Sequence, residues 1–350
     1  MKKITALLII TVMILTLAAS GCKGKIDYIG EVNVCNWGEY IDESIFDDFE
    51  KETHIKINYS TVQNNEALYS LLKSGGSDYD VIIPSDYLIS RLIEEDMLEK
   101  LDFSAIPNYS LIGDEYKNLE YDPTGEYSVA YMWGTVGIIY NTTMIDEKIT
   151  SWGALFDPAY AGNILMIDNP RDAIGIALKY LGYSLNTTDE GELREAYDLL
   201  EQQKPLLQGY VMDQVFNKME GGEAAISVYY AGDFITMHDN NEDLAFVQPE
   251  EGANWFVDAM CIPKGSDNKE NAEAFINFIC RTDIAVRNMD VTGYVTANTE
   301  AAEEYSEELD DYSYSVLFPS EEFLSKCEVF LNLPHDILNL YDELWVQLKA

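Results

Sequence analysis

Five short stretches of this chain concentrate aromatic rings, carboxylates and amides. They are Asn36-Trp37-Gly38-Glu39-Tyr40, Ser85-Asp86-Tyr87, Asp168-Asn169-Pro170-Arg171-Asp172, Tyr229-Tyr230 and Trp255-Phe256-Val257-Asp258. Each follows or begins a strand-like run. Such a mixture suits an alkyl ammonium ligand. Aromatic faces attract a cation by about 0.5–2 kcal/mol each. Carboxylates accept charge-assisted hydrogen bonds from its N–H groups, and ring faces pack its methylenes. One aromatic at such a place is more often core packing; recurrence at several strand ends moves the reading towards a site.

Covalent chemistry has no comparable signature. His54, His238 and His335 are far apart, and no HExxH or paired Cys/His spacing points to zinc. There is no GxSxG elbow, Walker loop or GxGxxG. Asp239, Asn241 and Asp243 begin like a calcium loop, but the required glycine and the later glutamate are missing. With 62 acidic residues, carboxylate pairs are inevitable and say little about acid–base catalysis. The expectation is a binding protein rather than an enzyme, with no cofactor and no metal.

The elements that position these stretches are legible as alternating strands and helices. Glu31–Trp37 alternates as a strand, Asp42–Thr53 has helical spacing, Ile55–Tyr59 alternates, and Asn65–Ser74 is helical up to a Gly75-Gly76 stop. Tyr79–Pro84 is a short, nearly all-apolar strand. This order implies a parallel sheet covered by helices on both sides. A strand at Gly134–Tyr140 and a second α/β set follow. That set has strands at Asn163–Ile167, Ala225–Tyr230 and Phe256–Ile262, and helices at Ala173–Leu181, Glu190–Gln202 and Lys269–Cys280. Glu300–Asp311 reads as a solvated acidic segment, and His335–Lys349 as a closing helix. Ligands of such sheets bind beyond the carboxyl ends of the strands, often between units.

The chain's start bounds its location. Lys2 and Lys3 precede an uncharged run, Ile4–Ala19, and then Ala18-Ala19-Ser20-Gly21 stand before Cys22. A charged start, an apolar middle and a small-residue exit read as a secretory signal over residues 1–21. The run is shorter than the roughly 20 residues that span a bilayer. Cys22 at the cleavage point resembles a bacterial lipobox, so it is the expected lipidation site, with residues 22–28 as a tether. The remaining 329 residues exceed what one core usually holds, so two domains are expected. A net charge of −40 excludes nucleic acid and anionic membrane surfaces as partners and attracts cations. Cys35, Cys261, Cys280 and Cys327 have no pairing signature and read as buried free thiols.

Six segments, in order along the chain, resemble the spermidine/putrescine-binding proteins of ABC importers. They are residues 36–40, 79–87, Tyr131-Met132-Trp133-Gly134, Ser151-Trp152-Gly153-Ala154-Leu155-Phe156, 181–188 and Thr292-Gly293-Tyr294. The resemblance implies a periplasmic-binding-protein-like fold of two α/β lobes, each a central sheet flanked by helices, joined by crossing strands. It implies lobe one at 29–135 and 258–302, and lobe two at 136–257 and 303–350. It also implies a polyamine between the lobes, an ABC permease with its ATPase as partner, and a place on the outer face of the cytoplasmic membrane, or in a periplasm. Residue by residue, Trp37 matches a ring that packs on the polyamine, with Glu39 and Tyr40 as acidic and aromatic neighbours. Ser85 and Tyr87 match a polar pair, Asp172 and Asp258 match carboxylates for amines, and Tyr294 matches a polar aromatic. Asn169 stands where spermidine binders have an acid, and Tyr229 and Phe256 where they have tryptophans. A C-terminal glutamine contact falls near Leu331 and is missing. On that count, fewer charges suit the divalent putrescine over the trivalent spermidine. Two other readings stay open from the residues alone. One is a receptor for an amino acid, a sugar or ferric ion, with Arg171 the only arginine near these motifs. The other is a surface-anchored hydrolase.

Overall fold

The computed structural model describes residues 26–75 and 78–350; the signal segment and Cys22 lie outside the described residues. The chain opens with β1 (Gly30–Asn36), α1 (Ile45–Thr53), β2 (Ile55–Thr61), α2 (Asn65–Ser74), β3 (Val81–Ile82) and α3 (Asp86–Glu94). The alternation expected of β1 is present at its start and gives way to full burial at Val34, Cys35 and Asn36. The start of α2 is fixed by Asn64, whose side chain accepts from Ala67 N, and its end by Gly75 at φ +64.

Next come β4 (Ser128–Asn141), β5 (Ile164–Ile167), α4 (Pro170–Leu181), α5 (Glu190–Gln203), β6 (Leu207–Val211), α6 (Gln214–Glu220), β7 (Ile226–Tyr230), α7 (Ala231–Asn240), β8 (Leu244–Val247) and β9 (Trp255–Cys261). The chain closes with α8 (Lys269–Ile279), α9 (Thr282–Thr292), β10 (Val295–Thr296), α10 (Thr299–Glu308), α11 (Asp311–Leu317), α12 (Glu321–Leu324) and α13 (His335–Lys349).

Among the described residues the strands run in the order β2-β1-β3-β9-β4-β7-β5-β6, with β8 and β10 also paired to β4. β1, β2 and β3 are mutually parallel, as are β5, β6 and β7. β9 and β4 are antiparallel to their neighbours, so the sheet is mixed rather than parallel throughout. β4 carries the connection. Its Ser128–Thr135 part pairs with β9, and from Val136 onward it pairs with β7 and then β8. It is twice the expected length because it is buried along both faces, apart from Tyr140, and so has no alternation to reveal its start.

The acidic segment 300–311 keeps its acidic side chains exposed, as expected, and is also largely helical. It forms most of α10, which Asn298 caps by accepting from Ala301 N, and Ala301 and Tyr305, four residues apart, anchor it. Cys35, Cys261 and Cys280 are buried free thiols, while Cys327 is only half-buried.

Candidate functional site

Parallel strands deliver the site at their carboxyl ends. β3 runs into α3, β5 into α4 and β7 into α7, and each helix carries an aspartate in its first turn: Asp86, Asp172 and Asp233. The helix start is the positive end of its dipole and favours a carboxylate there by about 0.3–1 kcal/mol, more when partly buried. In α4 the local sequence dictates this start. Asn169 caps by accepting from Arg171 N at 3.1 Å, and Pro170 occupies the first turn. β9 passes the start of α3, where Ser85 and Asp258 form an antiparallel backbone bridge.

These ends enclose a cavity with about 810 Å³ of space between its atoms, open mouth included. Its wall includes Trp37, Tyr40, Ser85, Tyr87, Asn169, Asp172, Tyr229, Phe256, Asp258 and Tyr294. The sequence had singled out all ten of these. Glu39, the eleventh, is not in the wall. Its backbone takes the left-handed conformation, φ +49, and it stays exposed on the turn after β1, between Trp37 and Tyr40. Its charge still reaches Asp233. The wall also holds Asp86 and Tyr230, which lie in the stretches singled out but were not chosen as contact residues, and Asp213, Asp233, Asn254 and Phe330, which sequence reasoning did not select. The available signal was an acid within the first turn after a strand, the pattern shared by Asp86, Asp172 and Asp233.

The rings form a continuous row. Tyr229 and Tyr230 lie 5.1 Å apart, Tyr230 and Phe256 5.5 Å, Phe256 and Tyr294 6.2 Å, and Tyr294 and Tyr40 4.7 Å. Their hydroxyls orient carboxylates. Tyr230 donates to Asp172 Oδ2 at 2.9 Å and Tyr294 to Asp233 Oδ2 at 2.7 Å. The Tyr294 ring fits against α7 only because residue 232 is glycine; a Cβ there would meet the ring at 2.5 Å.

The other carboxylate oxygens are left over. Asp172 Oδ1, Asp258 Oδ1, Asp86 Oδ2 and Asn254 Oδ1 are buried acceptors with no hydrogen-bond partner among the described residues. Burial pushes the Asp172 carboxyl up to about 7 against the pull of Tyr230 and Asn254. It pushes Asp258 up to about 6, although Ser85, Tyr40 and Trp37 donors stand close enough to pull it down. Asp86 and Asp233 are driven well above the usual carboxylate range, chiefly by burial. An unmet buried acceptor is costly, so this wall asks for hydrogen-bond donors, and for positive charge.

Arg171 does not answer that need from within the cavity, because it is not in the wall. Its guanidinium lies 4.9 Å from the Tyr87 ring centre, 4.5 Å from Phe330 and 5.3 Å from Tyr341. It donates to Leu331 O and to Asn186 Oδ1. An anionic ligand therefore finds no arginine in the wall, and Leu331, where the glutamine was sought, offers its carbonyl to Arg171. The described residues contain no His/Cys/Asp/Glu group able to hold a metal ion.

A family model described as bacterial extracellular solute-binding protein matches residues 44–313. The chain is 36% identical over 318 residues to a spermidine/putrescine-binding periplasmic protein of Salmonella typhimurium, covering 90% of each. It is 30% identical over 338 residues to a putrescine-binding periplasmic protein of Pseudomonas aeruginosa, covering 91% of this chain and 92% of that one. Among solved structures, a putative spermidine/putrescine ABC transporter from Listeria monocytogenes superposes with a TM-score of 0.87 at 38% identity, over 91% of this chain and 99% of that one. A lipoprotein of Treponema pallidum superposes with a TM-score of 0.81 at 28% identity, over 91% and 99%.

Proposed function

The chain belongs to the bacterial extracellular solute-binding proteins, and from that premise we propose that it captures a polyamine outside the cytoplasm and hands it to an ABC permease. The observation that carries this reading is the set of four unpartnered buried acceptors, three of them carboxylate oxygens, in a wall of aromatic rings. An alkyl ammonium supplies N–H donors and charge to those oxygens, and the rings pack its methylenes. The names of the relatives point the same way: the Salmonella protein binds spermidine and putrescine, and the Pseudomonas protein putrescine. The chain acts by binding; no bond of the solute is broken.

Trp37, Tyr40, Ser85, Tyr87, Asn169, Asp172, Tyr229, Phe256, Asp258 and Tyr294 form the ligand contact set in this reading, joined by Asp86 and Asp233. Glu39 acts from outside the wall through its charge. The lobes divide at residues 29–135 with 258–302, and 136–257 with 303–350. Support comes from β4, which changes partners between Thr135 and Val136. Closure of the lobes around the ligand favours the form that the permease receives. Cys22 carries a lipid that keeps the receptor at the membrane, as befits a chain similar to a lipoprotein of Treponema pallidum.

Calorimetry tests the reading. The full chain in mild detergent is titrated with putrescine, cadaverine, spermidine and spermine, beside amino acids and sugars. Micromolar or tighter binding of a polyamine is expected. Binding of an amino acid or sugar with no response to any polyamine overturns it.

A further inference from the structure

The cavity mouth holds one carboxylate that neither the motifs nor the buried wall accounts for. Asp213 follows β6 and stands at the start of α6, exposed, yet it lines the same cavity as the buried acids. Its Oδ2 occupies the place where a side chain at residue 38 would begin: a Cβ on Gly38 would lie 2.5 Å from that oxygen. Its Oδ1 lies 3.4 Å from the Tyr229 hydroxyl. Tyr229 itself is 2% exposed and belongs to the ring row. The row thus leads from Asp172, held by the Tyr230 hydroxyl, through Tyr229 to Asp213 at the rim.

A second observation ties this end of the cavity to a ligand. The Tyr40 hydroxyl, on a wall side chain that is 4% exposed, lies beside the Asp258 carboxyl, whose Oδ1 is buried without a partner among the described residues. The Tyr40 ring packs on Tyr294, whose hydroxyl holds Asp233. The cavity therefore offers an unmet buried acceptor at Asp258 and, at its mouth, the exposed Asp213 carboxylate beside the Tyr229 hydroxyl.

From this geometry we infer that Asp213 is an additional ammonium station, opened by the absence of a side chain at Gly38 and reached by polyamines with three or more amines. The inference rests on the polyamine reading and names the length class that the site rewards. A chain anchored at the buried carboxyls arrives at Asp213 only by continuing past the Tyr229 ring, which a third amine and its methylene arm allow. Asp213 thereby restores at the rim the charge that Asn169 lacks. It shifts preference from the divalent towards the trivalent ligand.

Two variants test it without touching the core. Asp213→Asn removes the charge at an exposed position. Gly38→Thr removes it by displacement: the clashing atom is the far end of a flexible side chain, so Asp213 swings away at little cost to the fold. Spermidine and putrescine affinities of the full chain in detergent are compared by calorimetry. The spermidine-to-putrescine affinity ratio is expected to fall by about threefold or more in each variant, the size of an exposed charge pair. An unchanged or increased ratio in Asp213→Asn overturns the station. If the unaltered chain binds neither polyamine, the functional reading itself fails. A chain that binds both with an unaltered ratio in the variants refutes Asp213 alone.

Discussion

Ligand capture should release protons, and the structure sets how many. In the ligand-free cavity the Asp172 and Asp258 carboxyls titrate near about 7 and about 6, raised chiefly by burial. An ammonium docked against them requires their ionised forms. At pH 6 the free protein holds about 1.4 protons on this pair, from the two values taken as independent sites. Those protons leave when the cation binds. At pH 5 the protonated forms dominate by about a hundredfold at Asp172 and about tenfold at Asp258, whereas at pH 8 both are essentially ionised. Polyamine affinity should therefore drop by about a thousandfold from pH 8 to pH 5, roughly 4 kcal/mol. Calorimetry at pH 6 in two buffers of different ionisation enthalpy counts the protons directly. Asp172→Asn should reduce the count by close to one. A flat affinity between pH 5 and 8, with no buffer dependence of the heat, would refute the claim that the buried carboxyls wait protonated for a cation.

Other perturbations separate the parts of the site. Asp258→Asn should weaken polyamine binding at least about tenfold, equivalent to about 1.4 kcal/mol; unchanged affinity removes Asp258 from the contact set. Trp37→Ala should behave similarly in the same titration, through lost ring contact. For the ligand-free protein the sign reverses. The Asp172 carboxyl binds its proton more tightly folded than unfolded, so its contribution to stability is present below about pH 4 and is lost as pH rises through about 7. The stability of Asp172→Asn relative to the unaltered chain should accordingly increase across that window in chemical denaturation, and a gap that narrows with pH contradicts it. Cys22→Ser should shift the protein from the membrane fraction to the soluble fraction of the producing cells; unchanged membrane retention removes the lipid.

The ring and carboxylate set was legible because its members sit at strand ends, where a sequence advertises them through turn residues and broken alternation. Trp37, Ser85, Asp172 and Asp258 were found in that way, and all line the cavity. Asp233 was missed because it is separated from the Tyr229-Tyr230 pair by a helix start that sequence reading did not mark as such. Asp213 was missed because its value depends on Gly38, 175 positions away in sequence, and only the folded chain sets the two side by side. Glu39 lies outside the wall for a smaller reason. A run of five residues does not say which side chains a turn sends outward, and the left-handed backbone at Glu39 decides it. For the sheet, the parallel units were visible, but the long β4 was not, since burial on both faces erases the period of two.

Asn169 shows why a charge tally along the sequence misjudges such a site. An acid replaced by an amide reads as lost affinity for a cation. In the structure the amide oxygen is already committed to the first turn of α4, accepting from Arg171 N, so as an acceptor it serves the helix. That helix start in turn presents Asp172, whose outward oxygen is unpartnered. The residue thus lines the cavity and also fixes the helix start that presents Asp172. The buried acids also carry less charge than their number suggests, because burial raises the pKa of Asp172, Asp258, Asp86 and Asp233. Bringing several bare carboxylates together in a low-dielectric pocket is prohibitively unfavourable, and holding them protonated avoids that. On the proposed function, an arriving polyamine would exchange its charge for those protons.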